Sequence, residues 1–304
     1  QTGAAADCAG APAPLLARCV EAALAFEAVQ GGFGLVGTGG GSVFPGNAST
    51  FGRRFGSQPR TGWNLQLSGV RLTRPDVTGE GTGLPAEETA TIPALLATAG
   101  IGLFDGFSPL PTVGGVLAVD GILSGSITFP RGPGFGDNVY GYGIGLRVGL
   151  LRESFMLPGV SISTMLRGSS TIRLGDPALA PPVDMAFDVS TISVRGTVGK
   201  DFLVVGLLGG VGYDRYRSDA EIGVRDPAAP PGGIYRISPR GFTTGRTVFF
   251  GGATMTYLVA QLSAEAGWAT GYDDSVGIAR GSSPEAYDPT GGTPFLTLTG
   301  RLTL

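Results

Sequence analysis

Residues 139–151 read VYGYGIGLRVGLL and alternate with a period of two. Tyr140, Tyr142, Ile144, Leu146, Val148 and Leu150 fall on one side, and Gly141, Gly143, Gly145 and Gly149, with Arg147, on the other. That is the alternation of a β-strand. Glycine weakens a strand interior, because it loses more backbone entropy than other residues and brings no side chain to pack. A stripe of four predicts that something lies against the bare face.

The same period recurs along the chain. Leu262, Ala264, Ala266, Trp268 and Tyr272 alternate with Gln261, Ser263, Glu265, Gly267 and Asp273, and Leu296, Leu298, Leu302 and Leu304 with Thr297, Thr299, Arg301 and Thr303. The pattern predicts strands at 61–73, 94–106, 113–129, 139–153, 159–174, 185–199, 202–221, 242–257, 260–273 and 295–304. Several exceed a dozen residues, against about 5 to 6 for ordinary strands. A tilted membrane-crossing strand needs about 9 to 11, apolar outward and free to be polar inward. The fold expected is therefore all-β: an antiparallel transmembrane up-and-down β-barrel of about ten strands, with twelve as the alternative.

Composition fits. Glycine is 54 of 304 residues, well above the usual ~7%, hydrophobics are 42%, and the net charge of −3 gives no reason to expect a nucleic-acid partner. The apolar runs are too short for a membrane-spanning helix. The chain opens at Gln1 on an Ala/Pro/Gly-rich stretch, as a mature exported chain would after loss of a signal peptide. In that setting Cys8 and Cys19 are expected to form a disulfide, two buried free thiols being the alternative.

One helix is predicted, PLLARCVEAALAFEAVQ from Pro14 to Gln30, stopped by Gly31-Gly32. It is apolar on nearly every side and expects to be enclosed. Residues 1–60 read as a disulfide-pinned helical plug segment and 61–304 as the barrel. The plug, centred on 8–36, is expected in the lumen or under its periplasmic mouth, against Gly141, Gly143, Gly145 and Gly149.

Short connections at 107–112, 154–158, 199–201 and 258–259 alternate with long ones at 75–93, 130–138, 175–184, 222–241 and 274–294. Tyr142, Tyr213, Phe249 and Trp268 lie at similar distances from the short turns and predict an outer aromatic girdle. In these respects the chain resembles Gram-negative outer-membrane β-barrel proteins, over about 61–304. Its last strand, FLTLTGRLTL, is similar to their C-terminal strand but ends in Leu304 where they usually end in Phe or Trp, which weakens the assembly signal. The resemblance implies the outer membrane as location and its lipid bilayer as partner. It resembles in particular barrel families in which a segment precedes the first strand.

The inward parity is expected to carry Asp120, Arg147, Arg167, Arg173, Arg195, Arg246, Glu265 and Arg301. The arginine excess reads either as a structural network neutralised by the N-terminal segment or as an anion-attracting lining. There is no histidine, so the His-dependent mechanisms of outer-membrane hydrolases cannot be assembled, and no zinc set can form. Lys200, the only lysine, falls in a short turn. The GxGxxG match at Gly32–Gly37 follows a helix instead of a strand and reads as a turn. Acidic loops at 214–226 and 273–288 lack a calcium spacing and read as solvated. No catalytic residue, metal or cofactor is expected. The function expected is a plugged passive channel for small or hydrophobic solutes. The alternative is a closed structural barrel that self-associates as a homo-oligomer into an array or filament, and an enzyme comes last.

Overall fold

The computed structural model of the chain describes residues 4–54, 58–77, 87–109, 114–175, 182–225, 233–272, 288 and 290–303. A 3-10 helix, Ala4–Gly10, leads into one α-helix, α1 (Ala13–Gly37). Two short pairing strands follow, β1 (Arg53–Arg54) and β2 (Gln58–Pro59). The barrel strands are β3 (Thr61–Pro75), β4 (Glu87–Phe104), β5 (Ala118–Thr128), β6 (Val139–Leu151), β7 (Gly159–Ser169), β10 (Ser190–Phe202), β11 (Val205–Ser218), β14 (Phe242–Tyr257), β15 (Ala260–Ala269) and β16 (Thr293–Thr303). They close in the order β10-β11-β14-β15-β16-β3-β4-β5-β6-β7, every pair antiparallel. The ten-stranded closed barrel expected from the alternation is the one observed.

Each strand places apolar side chains outward and small or polar ones inward. On β6, Tyr140, Tyr142, Ile144 and Leu146 are exposed while Val139, Arg147 and Gly149 are buried. Tyr142, Tyr213, Phe249 and Trp268 all point outward. A closed barrel with an apolar outer belt and a polar interior leaves no edge and no unpaired backbone in lipid, the requirement for spanning a bilayer with strands.

Three expected strands prove to be two each. The stretch 159–174 breaks at Ser170-Thr171 into β7 and β8 (Ile172–Leu174). Residues 185–199 fall into β9 (Val183–Phe187) and β10, and 202–221 into β11 and β12 (Ala220–Arg225). With β13 (Ile234–Ile237), the extra pieces form a four-stranded antiparallel sheet, β13-β12-β9-β8, at the long-loop end. The barrel ladder ends where Ser169 and Ser170 donate backbone N–H groups to Val189 and Tyr140 carbonyls. Beyond that corner the even-numbered parity, which is exposed on β7 at Ile162 and Leu166, turns inward on β8, and Ile172 and Leu174 join Met185, Phe187, Ile222 and Val224 in one buried cluster. Arg173, expected in the lumen, is consequently exposed on this cap.

The helix also differs from expectation. It runs through Gly31, Gly32 and Gly34 to Gly37, so the GxGxxG stretch forms its last turns. Gly39 and Gly40, both at positive φ, end it, with Thr38 donating its hydroxyl to the Leu35 carbonyl. At 25 residues α1 is long and apolar enough to cross a bilayer, yet most of it is enclosed by protein. Its first half packs under the cap, where the Phe26 ring meets Phe187 edge-on at 4.9 Å and Phe242 at 5.3 Å. Cys8 and Cys19 are joined, tying the 3-10 helix to α1.

Candidate functional site

The N-terminal segment enters the barrel from the long-loop end and leaves at the short-turn end. In outer-membrane barrels the long loops face the cell surface and the short turns the periplasm, so the chain descends from outside to inside before β3 begins. It occupies the lumen itself and does not sit beneath the periplasmic mouth.

Two kinds of packing fill the passage. In the upper half, α1 lies against barrel side chains that reach for its bare glycine positions. A Cβ on Gly31 would fall 1.4 Å from the Tyr272 hydroxyl, and one on Gly34 2.3 Å from the Tyr216 ring. These glycines let two buried tyrosines close on the helix. Gln30, fully buried, donates to the Ser218 hydroxyl at 2.9 Å and accepts from Thr244 at 2.8 Å. Arg246 spans Thr270 and Thr293 and stacks 4.8 Å over the Tyr272 ring.

In the lower half, residues 38–52 are irregular and glycine-rich, and the barrel holds them through their backbone. Glu265 accepts the Ser42 N–H at 3.0 Å and its hydroxyl at 2.5 Å. Arg195 forms a two-toothed pair with Asp214, at 2.6 and 2.8 Å, and donates onward to the Gly40 and Gly41 carbonyls. Asp120 pairs with Arg147 at 2.7 Å and receives the Phe51 N–H at 3.1 Å. Gln66 and Asn64 donate to the Gly39 and Val43 carbonyls. Each interior charge in these contacts is matched by an opposite charge or by a peptide group of the N-terminal segment, as buried charge requires.

Two expected lumen arginines are less fully engaged. Arg167 donates to Ser193 at 3.1 Å, and its Nε has no hydrogen-bond partner among the described residues. Arg301 lies 5.0 Å from the Phe51 ring and 5.8 Å from Phe44, yet its Nε and Nη1 also lack partners. It borders a cup of about 1060 Å³ at the short-turn mouth, with Lys200, Asp201 and Glu153 on the rim.

The bare face of the β6 glycine stripe is filled in part by neighbouring strands. Added Cβ atoms on Gly141, Gly143 and Gly145 would meet Ser126, Ser124 and Met165 on adjacent strands, with Arg167 also over Gly143. Gly149 meets the N-terminal segment directly, at Thr50, and Gly141 borders a cavity shared with Phe33, Gly34 and Gly37 of α1. Other glycines against the N-terminal segment include Gly62 and Gly100, facing Phe51 and Phe44, and Gly102, facing the Gly52 backbone. Asp214, Gln30, Gln66 and Tyr216 join the site without having been expected there. Asp214 sits on the inward parity of β11, a signal available in the alternation. Asp273 and most of the 273–288 loop lie outside the described residues.

No family model matches the sequence, and no curated protein does. The solved structures it resembles include the translocator domain of the autotransporter NalP from Neisseria meningitidis, 12% identical, covering 81% of this chain and 87% of that one at a TM-score of 0.45. They also include Ail, the attachment invasion locus protein of Yersinia pestis (9%, 81% and 98%, 0.33), and the outer membrane protease OmpT of Escherichia coli (10%, 81% and 96%, 0.36). These neighbours are Gram-negative outer-membrane β-barrels. This chain shares their fold, and its own strand closure and apolar belt are those of a barrel embedded in a lipid bilayer.

Proposed function

We propose that this protein is a sealed outer-membrane barrel that carries its own N-terminal segment through the lumen and fixes a compact cap on the cell surface. The observation that supports the reading is the ladder of contacts down the passage: Gln30 to β11 and β14, Arg195 to Gly40 and Gly41, Glu265 to Ser42, and Asp120 to Phe51. A solute would have to displace all of them. In this reading the inward arginines are a structural network that holds the plug. Catalysis has no part in it, since the chain lacks the histidine on which the familiar hydrolytic mechanisms depend.

A second reading, a plugged passive channel for small or hydrophobic solutes, draws support from the lower half alone. There Arg301, Thr50 and Gln261 have polar atoms without partners among the described residues, and the mouth below is open. Movement of residues 38–52, with α1 left in place, would open such a path.

Planar-bilayer recording separates the two. A sealed barrel gives no discrete steps when intact and open steps when residues 1–52 are deleted. Steps from the intact protein, lengthened by Glu265→Gln, would replace the sealed barrel with the channel.

A further inference from the structure

The short-turn rim is unusually apolar. The hairpin joining β10 to β11 turns on Leu203-Val204 and the one joining β14 to β15 on Leu258-Val259; the turn between β6 and β7 carries Phe155-Met156. Leu203 is 100% exposed, Phe155 95% and Leu258 84%. Hairpin tips facing water are normally polar or glycine-rich, because that is what turn geometry and solvation both favour.

The backbone adds a second observation. Leu203 has φ 59° and Leu258 φ 55°, and Leu117, in the turn before β5, has φ 60°. Hairpins reserve such positions for Gly, Asn or Asp, since a branched side chain there crowds its own backbone. Three leucines hold a conformation that disfavours leucine, at places where water would also disfavour it. Their side chains must gain from an apolar surrounding.

The belt continues into the rim without a break. Val205, Leu207, Met255, Tyr257, Leu262 and Leu302 carry exposed apolar surface from the membrane-facing wall to the turns. Arg60 is exposed at this end and Arg152 pairs with Asp105 while staying partly exposed, but Lys200, at the β10–β11 hairpin, turns inward. The Lys200 ammonium donates to the Ser154 and Leu157 carbonyls and lies 3.5 Å from Glu153, which also accepts the Asp201 N–H.

Height completes the argument. Tyr213 is ten residues from Leu203, and Phe249 and Trp268 are nine and ten from Leu258. At about 3.3 Å per residue and a tilt near 40°, the outer girdle stands roughly 23 to 25 Å above the tips. The apolar band of such barrels is about 25 Å tall. Measured down from the girdle, the bilayer ends at the tips themselves.

We infer that the short-turn rim is a lipid-binding surface seated in the periplasmic phospholipid leaflet, with Phe155, Met156, Leu203, Val204, Leu258 and Val259 among lipid. The partner is the leaflet already bound by the belt.

The test uses the full chain with Leu203→Cys, labelled with an environment-sensitive fluorophore; Cys8 and Cys19 are bridged and stay silent. The protein is placed in phosphatidylethanolamine/phosphatidylglycerol vesicles containing nitroxide phospholipids. Leu207→Cys on the belt and Glu221→Cys on the cap are the references. The expected result is nitroxide quenching equal to that at Leu207 and loss of the iodide quenching seen at Glu221. A label quenched by iodide and untouched by nitroxide lipid overturns the inference. So does a label shielded from iodide only in native membranes or at high protein-to-lipid ratio, which assigns the rim to a periplasmic protein or a second copy. A Leu203→Asn/Leu258→Asn variant, whose new side chains tolerate the turn backbone, folds; a label at Phe155→Cys in it gains iodide access. Unchanged access there also counts against the inference.

Discussion

The two halves of the lumen fill the same barrel by opposite means. Above, a helix meets the wall through shape: Gly31 and Gly34 receive Tyr272 and Tyr216, and Phe26 fits between Phe187 and Phe242. Below, an irregular strand of peptide meets the wall through charge: Asp120, Arg195 and Glu265 reach for carbonyls and N–H groups of residues 40–51. A helix satisfies its own backbone and needs only a fitted cavity. An extended segment does not, so the barrel around it must supply donors and acceptors. The difference explains why inward charge gathers where the helix ends.

The largest effect is expected from breaking the charged half. Asp120→Ala leaves Arg147 buried without its partner, beside Arg301, which is unpaired among the described residues. A loss of roughly 3 to 5 kcal/mol follows for a buried pair broken on one side, read from urea unfolding in lipid vesicles. Asp120→Ala/Arg147→Met, which removes both charges, regains most of it. If the double variant is no better than the single one, the pair does not hold the lower half together.

The apolar half responds to shape. Gly34→Leu drives a side chain into the Tyr216 ring, which is fully buried and donates to Asp214. Overpacking of this kind costs about 1 to 3 kcal/mol, and here it also unseats α1, so protease should reach the segment after the disulfide. Continued protection would mean that the upper half tolerates bulk and the fit is not specific.

The barrel was legible because its signal is repeated. Ten alternating stretches, each apolar on one parity, fix closure and sidedness even where an individual boundary is wrong. The cap was not legible, because β7 and β8 share an unbroken alternation through Ser169–Ile172; only the switch of core, from lipid outside to a cap inside, separates them, and periodicity does not record which core a side chain meets. Arg173 reads as inward for that reason and is exposed instead. The helix ran past Gly31 because the penalty glycine carries in a helix is outweighed when two tyrosines close on it. The stripe at Gly141 to Gly149 reads as space for the helix, yet Ser124, Ser126, Met165 and Arg167 lean into part of it from neighbouring strands. A parity pattern tells which way a position points, not how far the adjacent side chains lean over it.

Gly145→Leu measures what lies over the stripe. Its side chain would collide with the Met165 sulfur and the Thr164 carbonyl on β7, so the β6–β7 pairing weakens by about 1 to 2 kcal/mol while the N-terminus stays protected. Exposure of the N-terminus in this variant would return the stripe to its first reading, as a seat for the helix.

The smallest effect concerns the junction of the upper half with the cap. Glu27, at the level of the cap above the lipid belt, is buried and accepts the Ala4 N–H at 3.0 Å. Burial pushes its pKa up to about 7, against the lesser pull of that hydrogen bond. The fold therefore prefers the protonated acid. Because the folded value lies above the ordinary carboxylate value of about 4.5, the stability this group lends is fully present below pH 4.5. It is lost as pH rises through 7. Docking of residues 4–10 on α1, followed by amide exchange, should thus loosen steadily from pH 4.5 to 7.5. Glu27→Gln, which is neutral throughout and keeps an acceptor for Ala4, should flatten the profile. A slope that survives in Glu27→Gln would assign the pH response to another group and leave residues 4–10 held by the Cys8–Cys19 link and apolar packing alone.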